Sequence, residues 1–226
     1  MKEVRAVLFD AGGTLIHVDG PRICRTAGVA WDAGTFRAAE TVAVAAVRAL
    51  VLENPASRDA ERLPLYLDTM LSGLGLEAGP PLREAGGLVA AEHRRTNLWS
   101  RCADRAPETL EALRGRGYRV ACISNADGRV RGLLEAAGLL PHLEFVVDST
   151  EVGVEKPDPR IFHAATDRLG LEPAACAYVG DIYEIDVAGA AGAGLKPVLI
   201  GDGPAVSPVA RVPNLWTLLT LFPAMA

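Results

Sequence analysis

The stretch that decides the fold is AVLFDAGGTLIH, residues 6–17. It begins with an apolar run, reaches Asp10 and turns through Gly12 and Gly13 before a Thr-Leu pair. An uninterrupted apolar run is typical of a parallel strand that is buried on both faces. Because open α/β sheets bind their ligands at the carboxyl ends of strands, Asp10 stands where a functional group is expected.

Strand and helix patterns alternate from Arg101 onward. Helical patterns cover 107–117, 128–139, 159–171, 186–194 and about 214–222, and strand patterns cover 118–125, 143–148, 176–181 and 197–202. Such alternation indicates a parallel sheet with helices on both faces. We therefore expect the α/β class, with a doubly wound parallel sheet.

The segment 21–99 has a different character. It contains helical patterns at 35–53, 60–76 and 81–99, separated by breaks with Pro and Gly, and no strand pattern. We expect a small all-helical domain over 21–99, inserted into an α/β core formed by 1–20 and 100–226.

Composition excludes several classes of protein. The 226 residues are 50% hydrophobic with a net charge of −5, and without a long basic run they argue against nucleic acid or an anionic membrane as partner. Four scattered cysteines support neither a disulfide framework nor a zinc site. The sequence shows no signal peptide or spanning segment. We expect a cytoplasmic protein, monomeric or homodimeric.

Four stretches at predicted strand ends carry polar residues that the fold alone does not require. They contain Asp10, Ser124, Lys156, and the pair Asp181 and Asp186. In a doubly wound sheet these ends share one edge, so carboxylates, a hydroxyl and an ammonium converge there. Such a set can hold a phosphate and a hard divalent cation, although Ser124 and the two later aspartates are also residue types that cap helices.

These stretches, as DAGGTL, SN, EKPDP and GDIYEIDVAGAAGAG, resemble in order the motifs of the haloacid dehalogenase superfamily. The helical insert follows the first motif, as the cap does in one branch of that family. The resemblance implies a Rossmann-like core with a helical cap. It also implies a Mg²⁺-dependent hydrolase that acts on a small phosphorylated metabolite through an aspartyl-phosphate.

The resemblance assigns roles by position. It implies that Asp10 is the nucleophile and that Lys156 neutralises charge in the transition state. It implies Mg²⁺ ligands at Asp10, the Gly12 carbonyl, Asp181 and Asp186, with Asp186 orienting a bound water or Lys156. It implies phosphate-binding residues at Gly13, Ser124, Asn125 and Lys156.

Gly12 departs from the family's phosphatases, which carry at this position an Asp that protonates the leaving group. Losing such a group costs about 10²- to 10⁴-fold in rate. His17 and Asp19 in the following loop are the candidates for a substitute acid. Haloacid dehalogenases also lack this Asp and need no metal, but their fourth motif is Ser-rich where this chain has Gly180-Asp181. Phosphonate-cleaving members need a cap lysine, which 21–99 lacks. We favour a phosphate hydrolase, then a 2-haloacid dehalogenase, then a binding protein without turnover.

Overall fold

The computed structural model describes residues 3–201 and 208–225 and divides into two compact units. A core unit comprises residues 1–17 and 101–226, and a helical unit comprises residues 18–100. The predicted boundaries at 20/21 and 99/100 lie three residues and one residue from these divisions.

The elements follow one another along the chain with short connections. In order they are β1 (Ala6–Phe9), β2 (Ile16–Val18), α1 (Gly20–Ala27), α2 (Ala33–Glu53), α3 (Asp59–Gly73), α4 (Pro80–Thr96), β3 (Trp99–Cys102), α5 (Ala106–Gly115), β4 (Arg119–Ser124), α6 (Val130–Ala136), β5 (Val146–Asp148), α7 (Ser149–Val152), α8 (Pro159–Leu169), β6 (Cys176–Gly180), α9 (Ala188–Gly192), β7 (Lys196–Ile200), β8 (Ala210–Val212) and α10 (Leu215–Leu218). A π-helical turn at Tyr183–Val187 precedes α9.

The core unit contains a six-stranded sheet in the order β5-β4-β1-β6-β7-β8. All of its strand pairs are parallel, and Phe9 at the end of β1 lies beside Cys122 and Val179. This confirms the predicted fold class. Because β1 is central, Asp10 follows it at the middle of the carboxyl edge of the sheet.

Alternate residues of the strands build the core on one face of the sheet. Leu8, Ile123 and Tyr178 belong to one buried cluster with Phe162 of α8. The helix α8 is well delimited, since the Asp158 side chain accepts a hydrogen bond from the backbone of its first turn and a left-handed glycine ends it. The Phe162 ring of this helix packs against Tyr178 of β6, the strand whose carboxyl end leads to Asp181.

The helical unit is built on the apolar stripe of α2. Its buried residues recur at intervals of three and four, at Phe36, Ala39, Ala43, Val47 and Val51. The helices α2 and α3 approach closely, because a Cβ placed on Gly73 would lie 2.8 Å from the Cβ of Ala39.

Five short elements differ from the prediction. The prediction that segment 21–99 contains no strand is wrong at the last residue of the segment, because β3 begins at Trp99. The strands β2 and β8 and the helices α1 and α7 were not predicted either; β2, β3 and β8 are too short, at 3, 4 and 3 residues, to show an alternating pattern. Within residues 3–201 and 208–225, no helix has the length and apolarity needed to cross a membrane.

Candidate active site

The ammonium group of Lys156 lies at the centre of a buried polar cluster at the carboxyl edge of the sheet. Its Nζ is 2.6 Å from Asp10 Oδ1, 2.7 Å from Asp186 Oδ1 and 2.8 Å from the Tyr178 hydroxyl. These acceptors match in number the three N–H donors of an ammonium. Since Lys156 is 2% exposed, the two ion pairs are withdrawn from water and weakly screened.

The loop after β1 brings Gly13 against Asp181. Gly13 has a φ of +82°, and a Cβ built there would lie 2.3 Å from Asp181 Oδ2. The loop is closed by a hydrogen bond of 2.8 Å from Gly13 N to Ile16 O, and Gly12 forms an isolated bridge with Ile16. A side chain at position 13 would displace the carboxylate, so the loop needs glycine here for both conformation and space.

Asp186 is held by the turn that follows β6. Its Oδ2 accepts a hydrogen bond of 3.0 Å from Ile182 N, while its Oδ1 accepts from Lys156. Gly180 makes room for it, since a Cβ there would lie 2.4 Å from the Cβ of Asp186. Both carboxylate oxygens therefore contact donors of the protein, and metal ligation by Asp186 stays a prediction.

Asn125 contacts the backbone of Lys156 at two points. Its Nδ2 donates to Lys156 O at 3.0 Å, and its Oδ1 accepts from Lys156 N at 2.7 Å. The neighbouring Ser124 hydroxyl is buried and donates to Asn125 O at 3.3 Å. The predicted phosphate contacts of Ser124 and Asn125 stay predictions; the contact present is a clamp that orients the Lys156 backbone.

Burial and unbalanced negative charge shift the pKa values in the cluster. Burial raises the pKa of Asp10 from 3.8 to about 7, with Asp186 adding to the rise and Lys156 opposing it. Burial, followed by the charges of Asp186 and Asp10, raises the pKa of Asp181 well above its ordinary value. Burial by itself would lower the pKa of Lys156, but the charges of Asp10 and Asp186 outweigh it and raise the pKa above its ordinary value. Lys156 is therefore charged at neutral pH.

The three carboxylates of the cluster fit a divalent cation. Asp10, Asp181 and Asp186 each offer a ligand oxygen, and these atoms lie within 4.8 Å of one another. Asp181 Oδ1 is buried without a hydrogen-bond partner among the described residues, which is costly unless a ligand satisfies it. Three carboxylates around one ammonium also call for further positive charge. Oxygen donors of this kind are those that Mg²⁺ prefers.

Sequence reasoning missed Tyr178. Its hydroxyl accepts from Lys156 Nζ and donates to Ile123 O at 3.1 Å. Burial, followed by the neighbouring carboxylates, raises its pKa well above 10, so the phenol stays protonated. The available signal was a tyrosine three residues before Asp181 in a strand, CAYVG, that is buried throughout.

The two substitutes considered for the missing acid at Gly12 have other properties. Asp19 caps α1 by accepting from Arg22 N at 3.1 Å and pairs with Arg22 Nε at 3.3 Å. Burial, followed by the positive charge of Arg101, lowers the pKa of His17, which leaves its imidazole neutral at pH 7. Asp19 is thus engaged by Arg22 at the start of α1, and the neutral imidazole of His17 lacks the acidic proton of an imidazolium.

Comparisons with known proteins agree with these motifs. A family model described as haloacid dehalogenase-like hydrolase matches residues 4–194. The human haloacid dehalogenase-like hydrolase domain-containing protein 3 is 42% identical over 127 residues, which are 54% of this chain and 51% of that protein. The chain thus spans about half the length of the first curated relatives that it matches.

Two further similarities extend over most of the chain. A glyceraldehyde 3-phosphate phosphatase of Methanothermobacter thermautotrophicus is 30% identical over 203 residues, covering 88% of this chain and 86% of that enzyme. The crystal structure of a dehalogenase with an intermediate complex matches with a TM-score of 0.71 and 26% identity over 100% of both chains.

Proposed function

Because the chain belongs to the haloacid dehalogenase-like hydrolase family, as its motifs predicted, we propose that it is a Mg²⁺-dependent phosphatase. It hydrolyses a small phosphate monoester through an aspartyl-phosphate on Asp10. The observation that carries this proposal is the cluster of three carboxylates around Lys156, in which one oxygen of Asp181 has no partner among the described residues. A relative with a phosphatase name over 86% of its length supports the same class.

In this mechanism Asp10 attacks phosphorus and the alcohol leaves. The contact of Lys156 with Asp10 Oδ1 orients the carboxylate and favours its ionised form, which opposes the rise in pKa caused by burial. Asp186 keeps the ammonium in place from its other side. Mg²⁺, held by Asp10, Asp181 and the Gly12 carbonyl, would supply positive charge to the phosphoryl oxygens. Water then cleaves the aspartyl-phosphate, releasing phosphate and restoring Asp10.

Gly12 sets the kind of substrate that this chemistry handles best. Without a carboxylic acid two residues after the nucleophile, the departing oxygen takes its proton from water. A poor alkoxide leaving group gains most from an acid, while an aryl oxide, or the carboxylate of an acyl phosphate, leaves without one. We therefore propose that phosphate esters with good leaving groups are hydrolysed fastest.

Dehalogenation of 2-haloacids is the second candidate. Gly12 supports it, because dehalogenases of the family also lack the second Asp, and so does the similarity to a dehalogenase structure at 26% identity. The same chemistry would use Asp10 to displace halide from carbon. Dehalogenation gives no role to Asp181. One oxygen of Asp181 has no hydrogen-bond partner among the described residues and lies in a cluster of three carboxylates, which suits a cation.

One paired assay tests the proposal. Purified protein is incubated with p-nitrophenyl phosphate in Mg²⁺ or in excess chelator, and in parallel with 2-chloropropionate while chloride release is measured. We expect Mg²⁺-dependent release of nitrophenol that the Asp10→Asn variant lacks. Chloride release that survives the chelator would instead establish the dehalogenase, and oxyanion binding without either product would identify a binding protein.

A further inference from the structure

We infer that Tyr178 is a positioning residue for Lys156. Its phenol hydroxyl holds the ammonium between Asp10 and Asp186, in the place that phosphoryl transfer to Asp10 requires. The effect on catalysis rests on the proposed function, whereas the effect on Lys156 rests on the contacts alone.

The hydrogen bonds around the phenol are directional. The hydroxyl donates its one proton to Ile123 O at 3.1 Å, which turns an oxygen lone pair toward Lys156 Nζ at 2.8 Å. Asp186 Oδ1 is farther from the hydroxyl, at 3.4 Å. The Ile123 carbonyl thereby sets the orientation of the phenol, and the phenol sets the position of one ammonium proton.

The phenol differs chemically from the carboxylates that share the ammonium. Asp10 and Asp186 each form an ion pair with Lys156. The Coulomb attraction in such a pair is strong but depends little on the direction of the N–H bonds. Tyr178 is a neutral acceptor, so it fixes the ammonium without adding to the negative charge of the site. Removing it leaves only the two carboxylates to fix the direction of the ammonium protons.

The ring that carries the hydroxyl is tightly packed. Tyr178 is fully buried in β6, where it pairs in register with Leu8 of the central strand. Its ring packs edge-on against Phe162 of α8, with centroids 5.0 Å apart and an interplanar angle of 84°. A long lysine side chain has many rotamers, and a rigid acceptor restricts the ammonium to one of them.

Tyr178→Phe is the informative substitution, because it removes the hydroxyl and keeps the ring contact with Phe162. Tyr118→Phe is its matched control. The Tyr118 side chain is also buried and donates a hydrogen bond of 2.7 Å to a backbone carbonyl, that of Pro223, outside the polar cluster. Both variants therefore lose a phenol-to-carbonyl hydrogen bond, and one of them also loses the contact to Lys156.

The chain offers a direct probe of the ammonium, since it contains three lysines, Lys2, Lys156 and Lys196. Lysine labelled with ¹⁵N at Nζ gives few signals, and Lys156→Met assigns the one from the cluster. We expect Tyr178→Phe to shift the Lys156 Nζ signal and to speed its hydrogen exchange by about tenfold, as one lost hydrogen bond to a charged group implies. Tyr118→Phe should change neither.

Kinetics give the second measurement. With p-nitrophenyl phosphate and Mg²⁺, Tyr178→Phe should lower kcat by about tenfold and leave KM within about twofold, because the ammonium is displaced mainly from its transition-state contact. Tyr118→Phe should match wild type. Circular dichroism and thermal melting check that both variants fold.

The outcomes separate this inference from the proposed function. An unchanged Lys156 signal in folded Tyr178→Phe overturns the inference whether or not the protein is a phosphatase. A shifted signal with unchanged kcat overturns the catalytic consequence. If wild type hydrolyses no phosphate ester, the proposed function fails, and the Nζ signal still decides whether Tyr178 positions Lys156. If Tyr178→Phe does not fold, a Lys156 signal in wild type that exchanges as fast as free lysine overturns the inference.

Discussion

Replacing Lys156 by Met should destabilise the metal-free protein strongly at alkaline pH. The side chains of Lys156, Asp10 and Asp186 are 3%, 9% and 2% exposed, and the ammonium contacts the two carboxylates at 2.6 and 2.7 Å. Methionine fills similar volume but leaves the buried Asp10 and Asp186, and the half-buried Asp181 beside them, without a counter-charge. Breaking a buried ion pair from one side costs about 3–5 kcal/mol.

The loss of stability in Lys156→Met should be greater at high pH than at low pH. The pKa of Asp10 in the folded chain is raised by burial from 3.8 to about 7 despite the opposing effect of Lys156, so removing Lys156 raises it further. At pH 5.5 Asp10 is protonated in both proteins, and less charge is left unbalanced. We therefore expect the difference in unfolding free energy to be large at pH 8 and clearly smaller at pH 5.5.

Urea unfolding in excess chelator at the two pH values, followed by circular dichroism, measures this difference. Lys196→Met is the matched control, because Lys196 begins β7 at the opposite edge of the sheet and is partly exposed. Adding Mg²⁺ at 100 times its dissociation constant should recover about 2.7 kcal/mol. An equal loss at both pH values, or an equal loss in the control, would refute the charge argument.

Three other measurements test the site. Asp10→Asn should lower kcat for p-nitrophenyl phosphate by more than about 10³-fold while keeping the fold; activity within a few-fold of wild type contradicts a nucleophilic Asp10. Gly12→Asp should increase hydrolysis of alkyl phosphates about 10-fold or more relative to p-nitrophenyl phosphate, and equal or lower rates on both substrates in a folded, Mg²⁺-binding variant would show that the missing acid does not limit the enzyme. The apparent affinity for Mg²⁺, measured by calorimetry, should increase from pH 5.5 to 8, because the raised pKa of Asp10 makes protons compete with the cation below about pH 7; a pH-independent affinity excludes Asp10 as a ligand.

The patterns that the sequence analysis recognised are local ones. The strand before Asp10 is recognised from a short run of neighbouring apolar residues. The ends of α8 are recognised from Asp158, which caps its first turn, and from Gly170, which terminates it. The helical segment was recognised because α2 spans 21 residues, long enough for its 3.6-residue period to show. The short strands β3 and β8 lack such a period, and their pairing depends on partners elsewhere in the chain.

By itself, the sequence determined that Asp10 and Asp181 stand at strand ends, because strand patterns and glycine turns involve neighbours in the chain. The predicted strand-end position of Lys156 is wrong, since the short helix α7 separates this residue from β5. Only the tertiary structure decided which atoms meet. Lys156 contacts Asp10 across 146 positions and Tyr178 across 22, and Asn125 contacts the Lys156 backbone across 31. Contacts of this kind follow from the register of the sheet and the packing of α8 on one of its faces, which no local pattern encodes. In the sequence the tyrosine resembles one more core residue, and its hydroxyl has partners only because the fold brings Lys156 and the Ile123 carbonyl of β4 to it.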